Sequence, residues 1–309
     1  MVSWNDGSRI VLEAGSDDLN LRYTLDCGQA FRWSDAGSGV WTGVVRRHAV
    51  RLYREGDLVV GDVYPRIEDA EAFLAEYLRL DVDLPALYQS FGEVDRRIAG
   101  AVERYSGLRI LYQDPEETLL SYICSTANSV PRIAKAVREM SALYGEEIAT
   151  IDGVGYFGFP DAEAIADADP RVLRERCGLG WRGDNLKRVA GDIGELGERW
   201  LAALRAAQYR EAKSELMRIR GVGAKIADCV CLFALGKDEA VPVDTHIWAV
   251  AKELFGASVP TRTLTPATYE TIAGLFVGRY GRFAGWAQEY LYLNRRASQG
   301  RVQLDPIAE

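Results

Sequence analysis

Hydrophobic and polar positions divide this chain into a strand-rich first third and a helical remainder. Between about residues 20 and 63, short β-branched and aromatic runs alternate with turns that contain Gly or Asp, which predicts an antiparallel sheet of about five strands. The clearest runs are Phe31–Trp33, Val40–Val45 and Ala49–Tyr53. After Pro85 strand signals largely disappear and apolar residues recur at helical spacing. The pattern predicts an α+β protein, with a sheet domain and flanking helices over residues 1–108 and a mainly helical region over 109–309.

The helical part is punctuated by Pro at several helix starts and Gly at several helix ends. Helices are predicted over 68–80, 84–89, 94–104, 115–125, 131–144, 161–166, 170–176, 185–196, 202–209 and 283–294. A further helix is expected after Asp244, which is a good N-cap residue.

Two glycines, Gly221 and Gly223, interrupt a helical pattern whose apolar positions continue on one side from Leu216 to Val230. Glycines allow a tight turn and a close approach of the backbone to another molecule. We therefore predict a helix-hairpin-helix, whose hairpin amides lie at the start of the second helix, where a phosphate binds well. Lys225 falls on the first turn of that second helix.

Asp244 lies in the segment Val241–His246, 19 residues after Lys225. An amine beside a carboxylate, on a scaffold suited to hold a phosphate, suggests chemistry on a nucleotide sugar. Each residue taken alone has a simpler interpretation, a solvated Lys and a capping Asp. Their combination with the hairpin favours the chemical one.

Composition narrows the class of protein. The chain has 309 residues, 48% of them hydrophobic and 27% charged, as in ordinary globular proteins. We find neither a signal peptide nor an apolar run near the ~20 residues that span a membrane, so a cytosolic protein is expected. The five cysteines are irregularly spaced and none follows Asp244, which argues against a disulfide framework, a zinc site or a carboxy-terminal iron–sulfur cluster. No metal or cofactor is expected.

The net charge of −8 is unusual for a protein that binds nucleic acid, but the charge is uneven. Residues 1–100 carry 11 Arg against 17 Asp and Glu, whereas residues 201–230, around the hairpin, carry 6 basic and 3 acidic residues. The local field governs phosphate binding more than the total charge does. We expect modest affinity for undamaged DNA that added salt readily removes.

The motifs together resemble the 8-oxoguanine DNA glycosylase/lyase family, within the helix-hairpin-helix glycosylase superfamily. The segments that carry the resemblance are Cys27–Trp33, Gln113–Pro115, Ile123–Ser125, Gly158–Pro160, Gly178–Arg182, Gly221–Cys231, Val241–His246 and Ala284–Gln288. They occur in the family's order and cover about residues 20 to 295.

The resemblance implies an N-terminal antiparallel sheet and two helical domains, with the active site in the cleft between the helical domains. It implies a monomer that acts on duplex DNA containing 8-oxoguanine and flips out the damaged nucleotide. Lys225 would attack C1′, displace the base and form a Schiff base that leads to β-elimination, while Asp244 would stabilise positive charge on the sugar. The enzyme would be associated with DNA in the cytoplasm, or in the nucleus of a eukaryote.

The resemblance also assigns contacts to the flipped nucleotide. The backbone carbonyl of Gly28 would accept the N7–H that distinguishes 8-oxoguanine from guanine, Gln288 would hydrogen-bond the Watson–Crick edge, and Tyr292, where the family usually has Phe, would stack on the base. Cys229 would touch the base and His246 a nearby phosphate. The simpler alternatives are a turn glycine, core packing for Tyr292 and Cys229, and a core imidazole.

Contacts to the rest of the duplex follow in the same way. Trp181 stands where the family places an aromatic wedge, usually Tyr, and Arg132 and Arg182 match two arginines that read the cytosine opposite the lesion. Surface arginines are the alternative. A third reader, an Asn in the family, aligns with Ala127, which is followed by Asn128. Either the preference for cytosine is relaxed or Asn128 substitutes through a shifted loop, and we predict reduced discrimination.

Two other functions remain open. One is a glycosylase for another oxidised or alkylated base. The presence of Lys225 disfavours a purely monofunctional enzyme for alkylated bases, and the lack of a cysteine cluster disfavours a relative of endonuclease III. The other is a non-catalytic protein that binds damaged DNA, which the presence of both Lys225 and Asp244 disfavours.

Overall fold

A five-stranded antiparallel sheet followed by packed helices forms the architecture of the protein. The computed structural model describes residues 2–37, 39–260 and 263–299. The strands are β1 (Ser8–Glu13), β2 (Ser34–Asp35), β3 (Trp41–Val45), β4 (His48–Glu55) and β5 (Leu58–Tyr64), in the spatial order β1-β5-β4-β3-β2. The predicted α+β class and the N-terminal antiparallel sheet are confirmed.

Helices occupy most of the chain after the sheet. They are α1 (Leu21–Leu25), α2 (Ala70–Tyr77), α3 (Leu84–Val94), α4 (Arg96–Arg104), α5 (Pro115–Ile123), α6 (Val130–Tyr144), α7 (Ala162–Asp167), α8 (Arg182–Leu196), α9 (Glu198–Ala206), α10 (Tyr209–Met217), α11 (Ala224–Phe233), α12 (Thr245–Phe255), α13 (Pro266–Tyr280) and α14 (Ala284–Ser298). Each predicted helix has a counterpart in the structure. The helix predicted over 170–176 is a π-helical turn over Val172–Arg176. Across the described ranges, every helix is too short or too polar to cross a membrane.

The expected start of the sheet near residue 20 was wrong. The first strand, β1, precedes that position and pairs with β5. Asn20 begins a helix instead, because its side chain accepts a hydrogen bond from the Tyr23 amide. The run that ends in Trp33 is not a strand either: the indole N–H donates to the Tyr77 hydroxyl at 2.8 Å, and the ring fills the space above Gly43.

A second, two-stranded sheet lies inside the helical region, where no strand was predicted. It consists of β6 (Glu147–Ile151) and β7 (Val154–Phe157). The turn between them is Asp152-Gly153, with φ of 51° and 82°, which is the Asp-Gly signal of a tight hairpin. Trp4 packs edge-on against Tyr156 and joins this hairpin to the main sheet.

Besides the small cluster around Trp4, the described residues form two larger hydrophobic cores, one in the sheet and one in the helices. Helices α1 and α2 pack on the sheet core, whereas α3 and α4 contribute to the helical core. By packing alone α3 and α4 therefore belong with the later helices, and the division at residue 108 stays a prediction.

Gln29 holds the chain where the two cores meet. Its buried side-chain amide donates to the carbonyls of Thr24 and Arg109 and accepts from the Leu111 amide, at 2.7 to 2.9 Å. These bonds fix the preceding residue, Gly28, at the edge of the helical core.

Candidate active site

The predicted hairpin joins α10 to α11. Gly221 has a φ of 96°, a left-handed conformation that favours glycine, and a Cβ at this position would lie 2.5 Å from Asn185 Oδ1. Gly223 is the N-cap of α11 and has open space around its Cα. Because no side chain of the described residues caps α11, the N–H groups of its first turn are available to an anion such as a phosphate.

Lys225 is the second residue of α11, and its side chain extends towards α5. Its Nζ donates to Ser125 Oγ at 3.5 Å and lies 4.9 Å from the centre of the Tyr122 ring. The side chain is half-buried. The amine is thus held in a cleft between two helices rather than extended into bulk water.

Asp244 caps α12. Its Oδ1 accepts hydrogen bonds from the amides of His246 and Ile247, both at 2.8 Å. The predicted capping role is therefore real. Both of these bonds use one carboxylate oxygen, so they leave Oδ2 available to a substrate.

A single cleft of about 660 Å³ brings these residues together. Its walls include Gly28, Tyr122, Ser125, Asn128, Gly221, Gly223, Lys225, Cys229, Asp244, His246, Gln288, Glu289 and Tyr292. All the predicted catalytic and base-binding residues are in this set, although their roles stay predictions. The volume falls within the range of pockets that enclose small organic ligands, and a purine nucleoside is of this class.

Gly28 lies in the cleft wall with a φ of 99°. A Cβ there would lie 3.1 Å from Val130 Cγ2 and 3.2 Å from Arg296 Nη1, so a side chain is disfavoured by both conformation and space. Its carbonyl oxygen accepts a long hydrogen bond, 3.4 Å, from the Tyr122 hydroxyl. A carbonyl has two lone pairs, so this oxygen retains capacity for a ligand N–H.

Gln288, on α14, is 3% exposed, and its Oε1 is buried without a hydrogen-bond partner among the described residues. Buried polar atoms in folded proteins almost always have a partner. A ligand that brings an N–H into the cleft would supply it. The Watson–Crick edge of a guanine-type base has such donors.

Tyr292 and His246 pack edge-to-face across the cleft, with ring centres 5.7 Å apart. The Arg296 guanidinium lies 5.4 Å from the centre of the Tyr292 ring. Burial raises the pKa of the Tyr292 phenol, so the ring stays neutral. Cys229 is 2% exposed, and burial raises the pKa of its thiol to about 12, opposed mainly by the neighbouring Lys225. The structure brings Tyr292, His246 and Cys229 into one site.

Three of the predicted DNA-contacting residues lie outside the cleft lining. Trp181 is 59% exposed, as a wedge requires, and the Arg182 guanidinium lies 4.8 Å from the centre of its ring. Arg182 also donates to the carbonyls of Thr126 and Ala127, at 2.5 and 2.6 Å. Arg132 is exposed on α6.

Ala127 and Asn128 lie in the loop after α5, where Ala127 is exposed and the Asn128 side chain is hydrogen-bonded to the backbone. Ala127 is exposed and has a φ of 48°, a left-handed conformation that Asn adopts more readily than Ala. Asn128 is tied to the backbone, since its Nδ2 donates to the Cys124 carbonyl and its Oδ1 accepts from the Ser129 amide, both at 3.0 Å. Its oxygen and one amide hydrogen are therefore already used.

Tyr122, Ser125 and Glu289 are among the cleft residues to which sequence reasoning assigned no role. Tyr122 and Ser125 contact the Lys225 amine, and only Ser125 belonged to a segment singled out from the sequence. Glu289 is a buried carboxyl next to Gln288. A signal for it existed, since it is the one charged residue within the otherwise uncharged run Phe283–Asn294.

Comparison with known proteins accounts for almost the whole chain. Residues 11–119 match the model of the 8-oxoguanine DNA glycosylase N-terminal domain, and residues 120–273 match that of the HhH-GPD superfamily of base excision DNA repair proteins. The N-glycosylase/DNA lyase OGG1 of Arabidopsis thaliana is 33% identical over 91% of this chain and 79% of its own length. The chain belongs to the 8-oxoguanine DNA glycosylase/lyase family.

Solved structures of this glycosylase family share the fold. MBOgg1 in complex with a low-affinity DNA ligand superposes with a TM-score of 0.84 at 29% identity, covering 95% of this chain and 97% of that one. The 8-oxoguanine glycosylase/lyase of Clostridium acetobutylicum, in complex with double-stranded DNA that has cytosine opposite 8-oxoguanine, gives 0.82 at 29% identity, covering 91% and 93%. The cleft of the present glycosylase therefore lies in a fold known to contact DNA in its relatives.

The glycosylase has five buried cysteines, all with free thiols. In the part of the chain that the structure describes, no group of three or more His, Cys, Asp or Glu side chains could hold a metal ion.

Proposed function

We propose that this protein is a bifunctional DNA glycosylase and AP lyase that excises 8-oxoguanine from duplex DNA in base excision repair. One observation carries the proposal: the Lys225 amine, the Asp244 carboxylate and the Gln288 oxygen line one cleft beside the start of α11. Among the described residues that oxygen has no hydrogen-bond partner and α11 has no side-chain cap. Membership of the family supports the same activity.

The reaction would begin with a nucleotide flipped into the cleft, its phosphate held at the start of α11. Neutral Lys225 attacks C1′, and the C1′–N9 bond breaks with its electron pair leaving on the base. The free oxygen of Asp244 stabilises the positive charge that develops on the sugar. Loss of a proton and opening of the ring give a Schiff base, and removal of a C2′ proton expels the 3′ phosphate.

Gly28 and Gln288 would contact different edges of the base, and Gly28 would distinguish 8-oxoguanine from guanine. The Gly28 carbonyl would accept N7–H of 8-oxoguanine, whereas guanine presents a lone pair there. An unpaired acceptor of this kind costs about 1–3 kcal/mol, or a factor of roughly 5–150. Since a genome offers ~10⁶–10⁹ competing sites, further rejection of guanine before or during flipping is required.

The opposite strand would be contacted by Trp181, Arg132 and Arg182. Trp181 is exposed and stacked with Arg182, which suits it to fill the gap left by the flipped nucleotide. Ala127 has no side-chain amide, and the side chain of Asn128 is hydrogen-bonded to the backbone. Both observations support a relaxed preference for cytosine rather than a substitution by Asn128.

The decisive experiment compares duplexes that differ in one base. A labelled strand containing 8-oxoguanine is incubated with excess protein, and cleavage is measured with and without hot alkali, which reveals abasic sites that were not nicked. We expect cleavage of the 8-oxoguanine strand and none of a guanine strand. Cleavage only of a strand with an alkylated base would instead indicate the alternative glycosylase. Tight binding without cleavage of any strand would indicate a damaged-DNA-binding protein.

A further inference from the structure

Glu289 is a buried carboxyl group in the wall of the same cleft, and neither Schiff-base formation nor recognition of the base uses it. It is 3% exposed and follows Gln288 on α14. Tyr292 and Arg296 lie three and seven residues after Glu289, so Glu289, Tyr292 and Arg296 lie on the same face of α14. Across the described ranges Glu289 forms no ion pair within 4.0 Å, although Arg296 attracts it electrostatically.

The surroundings of Glu289 are mostly neutral. Cys27 faces it from the segment after α1 and Asp244 from the start of α12, in addition to Gln288 and Arg296 on its own helix. The negative charge of Glu289 also raises the pKa values of three nearby groups: the Tyr122 phenol on α5, the Cys229 thiol on α11 and the Tyr292 phenol. A carboxylate is costly to bury without a close counter-ion, and an amide or an apolar residue would pack there at lower cost. A group kept at such a position calls for a functional explanation.

We propose that Glu289 is the general acid of base departure: its protonated carboxyl hydrogen-bonds the flipped base and transfers its proton to that base as the C1′–N9 bond breaks. This inference rests on the proposed function. Glu289 would then be an acid–base group of the cleft in addition to Lys225 and Asp244.

The Lys225 amine forms a bond to C1′, the electron pair of the C1′–N9 bond moves onto the base, and the Glu289 proton neutralises the base. The products are a substituted ammonium at Lys225, a neutral free base and a Glu289 carboxylate. Asp244 is poorly suited to this role, because its Oδ1 holds two amides of α12 and its charge is needed beside the sugar.

The acidity of Glu289 fits the task. Burial and the nearby Asp244 raise the pKa of its carboxyl to about 7, against the lowering influence of Arg296, Cys27 and Gln288. General acids work best when their pKa lies near the working pH. Burial raises the pKa values of Cys27 and Tyr122 far above this range, so those groups keep their protons.

The test separates base removal from strand cleavage. Glu289→Gln keeps the shape of the side chain but cannot release a proton. Under single-turnover conditions we expect it to lower 8-oxoguanine excision about 100-fold at pH 6.5, since general acids typically contribute 10²–10⁴. Cleavage of a preformed abasic site in the same duplex, which has no base to expel, should stay within about twofold of wild type. Equal losses in both reactions, or no loss in excision, would overturn the inference.

The pH dependence gives a second readout that a merely structural role would not alter. Wild type carries the proton below the Glu289 pKa and loses it above, so the ratio of wild-type to Glu289→Gln excision rates should fall as pH rises from 6 to 9. His246 lies in the same cleft. Because both enzymes retain His246, its contribution to the pH profile is common to both rates and cancels in the ratio. A ratio constant across this range would show that Glu289 only positions its neighbours.

Glu117→Gln is the matched control. Glu117 is partly buried, and burial likewise raises the pKa of its carboxyl to about 7, but it pairs with Arg32 in a different, small cavity. We expect this variant to keep the wild-type ratio of excision to abasic-site cleavage at every pH. Failure of wild type to cut 8-oxoguanine DNA would refute the proposed function itself, and an active wild type with an unaffected Glu289→Gln would refute only the role of Glu289.

Discussion

The Nζ of Lys225 lies 4.9 Å from the centre of the Tyr122 ring, and the hydroxyl of that ring lies 3.4 Å from the Gly28 carbonyl oxygen. One aromatic side chain thus contacts both the proposed nucleophile and the proposed sensor of the lesion. Tyr122 is itself held by Phe233, whose ring stacks against it at 5.8 Å. The two ends of the cleft are connected through a rigid, buried residue.

Substitution of Tyr122 should therefore separate the effect of the ring from that of its hydroxyl. Tyr122→Phe keeps the aromatic face and should leave cleavage of abasic DNA within about threefold of wild type. Tyr122→Leu removes a contact of about 0.5–2 kcal/mol with the amine and should slow both reactions by roughly 3- to 30-fold. Single-turnover rates, with melting temperatures as the control for folding, test this. A Phe variant as slow as the Leu variant would assign the role to the hydroxyl instead.

Asp244→Asn should distinguish capping from catalysis. Asn caps helices about as well as Asp, so the free energy of unfolding should change by less than about 1 kcal/mol. Loss of the charge beside the sugar should lower excision about 100-fold or more, by analogy with other electrostatic stabilisers of transition states. Urea unfolding and single-turnover excision measure the two effects. An Asn variant with wild-type excision would leave Asp244 with capping alone.

The hairpin glycines should differ in their tolerance of alanine. Gly221→Ala places a methyl group against Asn185 in a left-handed conformation and should cost about 1–3 kcal/mol of stability. Gly223→Ala has open space and a φ of −91°, and should change stability by less than about 1 kcal/mol. Urea unfolding of the two variants compares them, and DNA affinity should fall for Gly221→Ala. Equal costs would contradict the described hairpin geometry.

Ala127→Asn should sharpen the choice of opposite base. The φ of 48° at Ala127 suits Asn, so the new side chain should be accommodated without loss of stability. We expect wild type to excise 8-oxoguanine opposite all four bases within about tenfold, and the Asn variant to favour cytosine more strongly. Ala127→Gly relieves the backbone conformation but brings no amide, and should keep the wild-type profile. A strict cytosine preference in wild type would contradict the inference drawn from Ala127.

The sequence predicted features that depend on local pattern. The hairpin at Gly221 and the cap at Asp244 follow from spacing and residue type alone, and both are present. The Asp152-Gly153 turn carried an equally local signal that was overlooked, whereas α1 resulted from a cap at Asn20 within a stretch that resembled strands.

Other features arise only when distant segments meet. Glu289 becomes a buried group of the cleft because α14 packs beside the Cys27 segment, over 260 residues earlier in the chain. The contact of Lys225 with Tyr122 likewise joins residues about a hundred positions apart. Periodicity cannot reveal such pairs, because it describes one helix at a time.

Covalent trapping by borohydride shows directly whether the Lys225 amine forms a bond to the sugar. A Schiff base between protein and DNA is reduced to a stable bond, which joins the two molecules at the position of the reacting amine. With an 8-oxoguanine duplex, wild type should give a single trapped adduct, and peptide mapping should locate it at Lys225. Lys225→Gln should give none, while Lys252→Gln, which alters a lysine outside the cleft lining, should trap like wild type. An adduct that persists in Lys225→Gln, or its absence from wild type that nonetheless releases the base, would contradict the account.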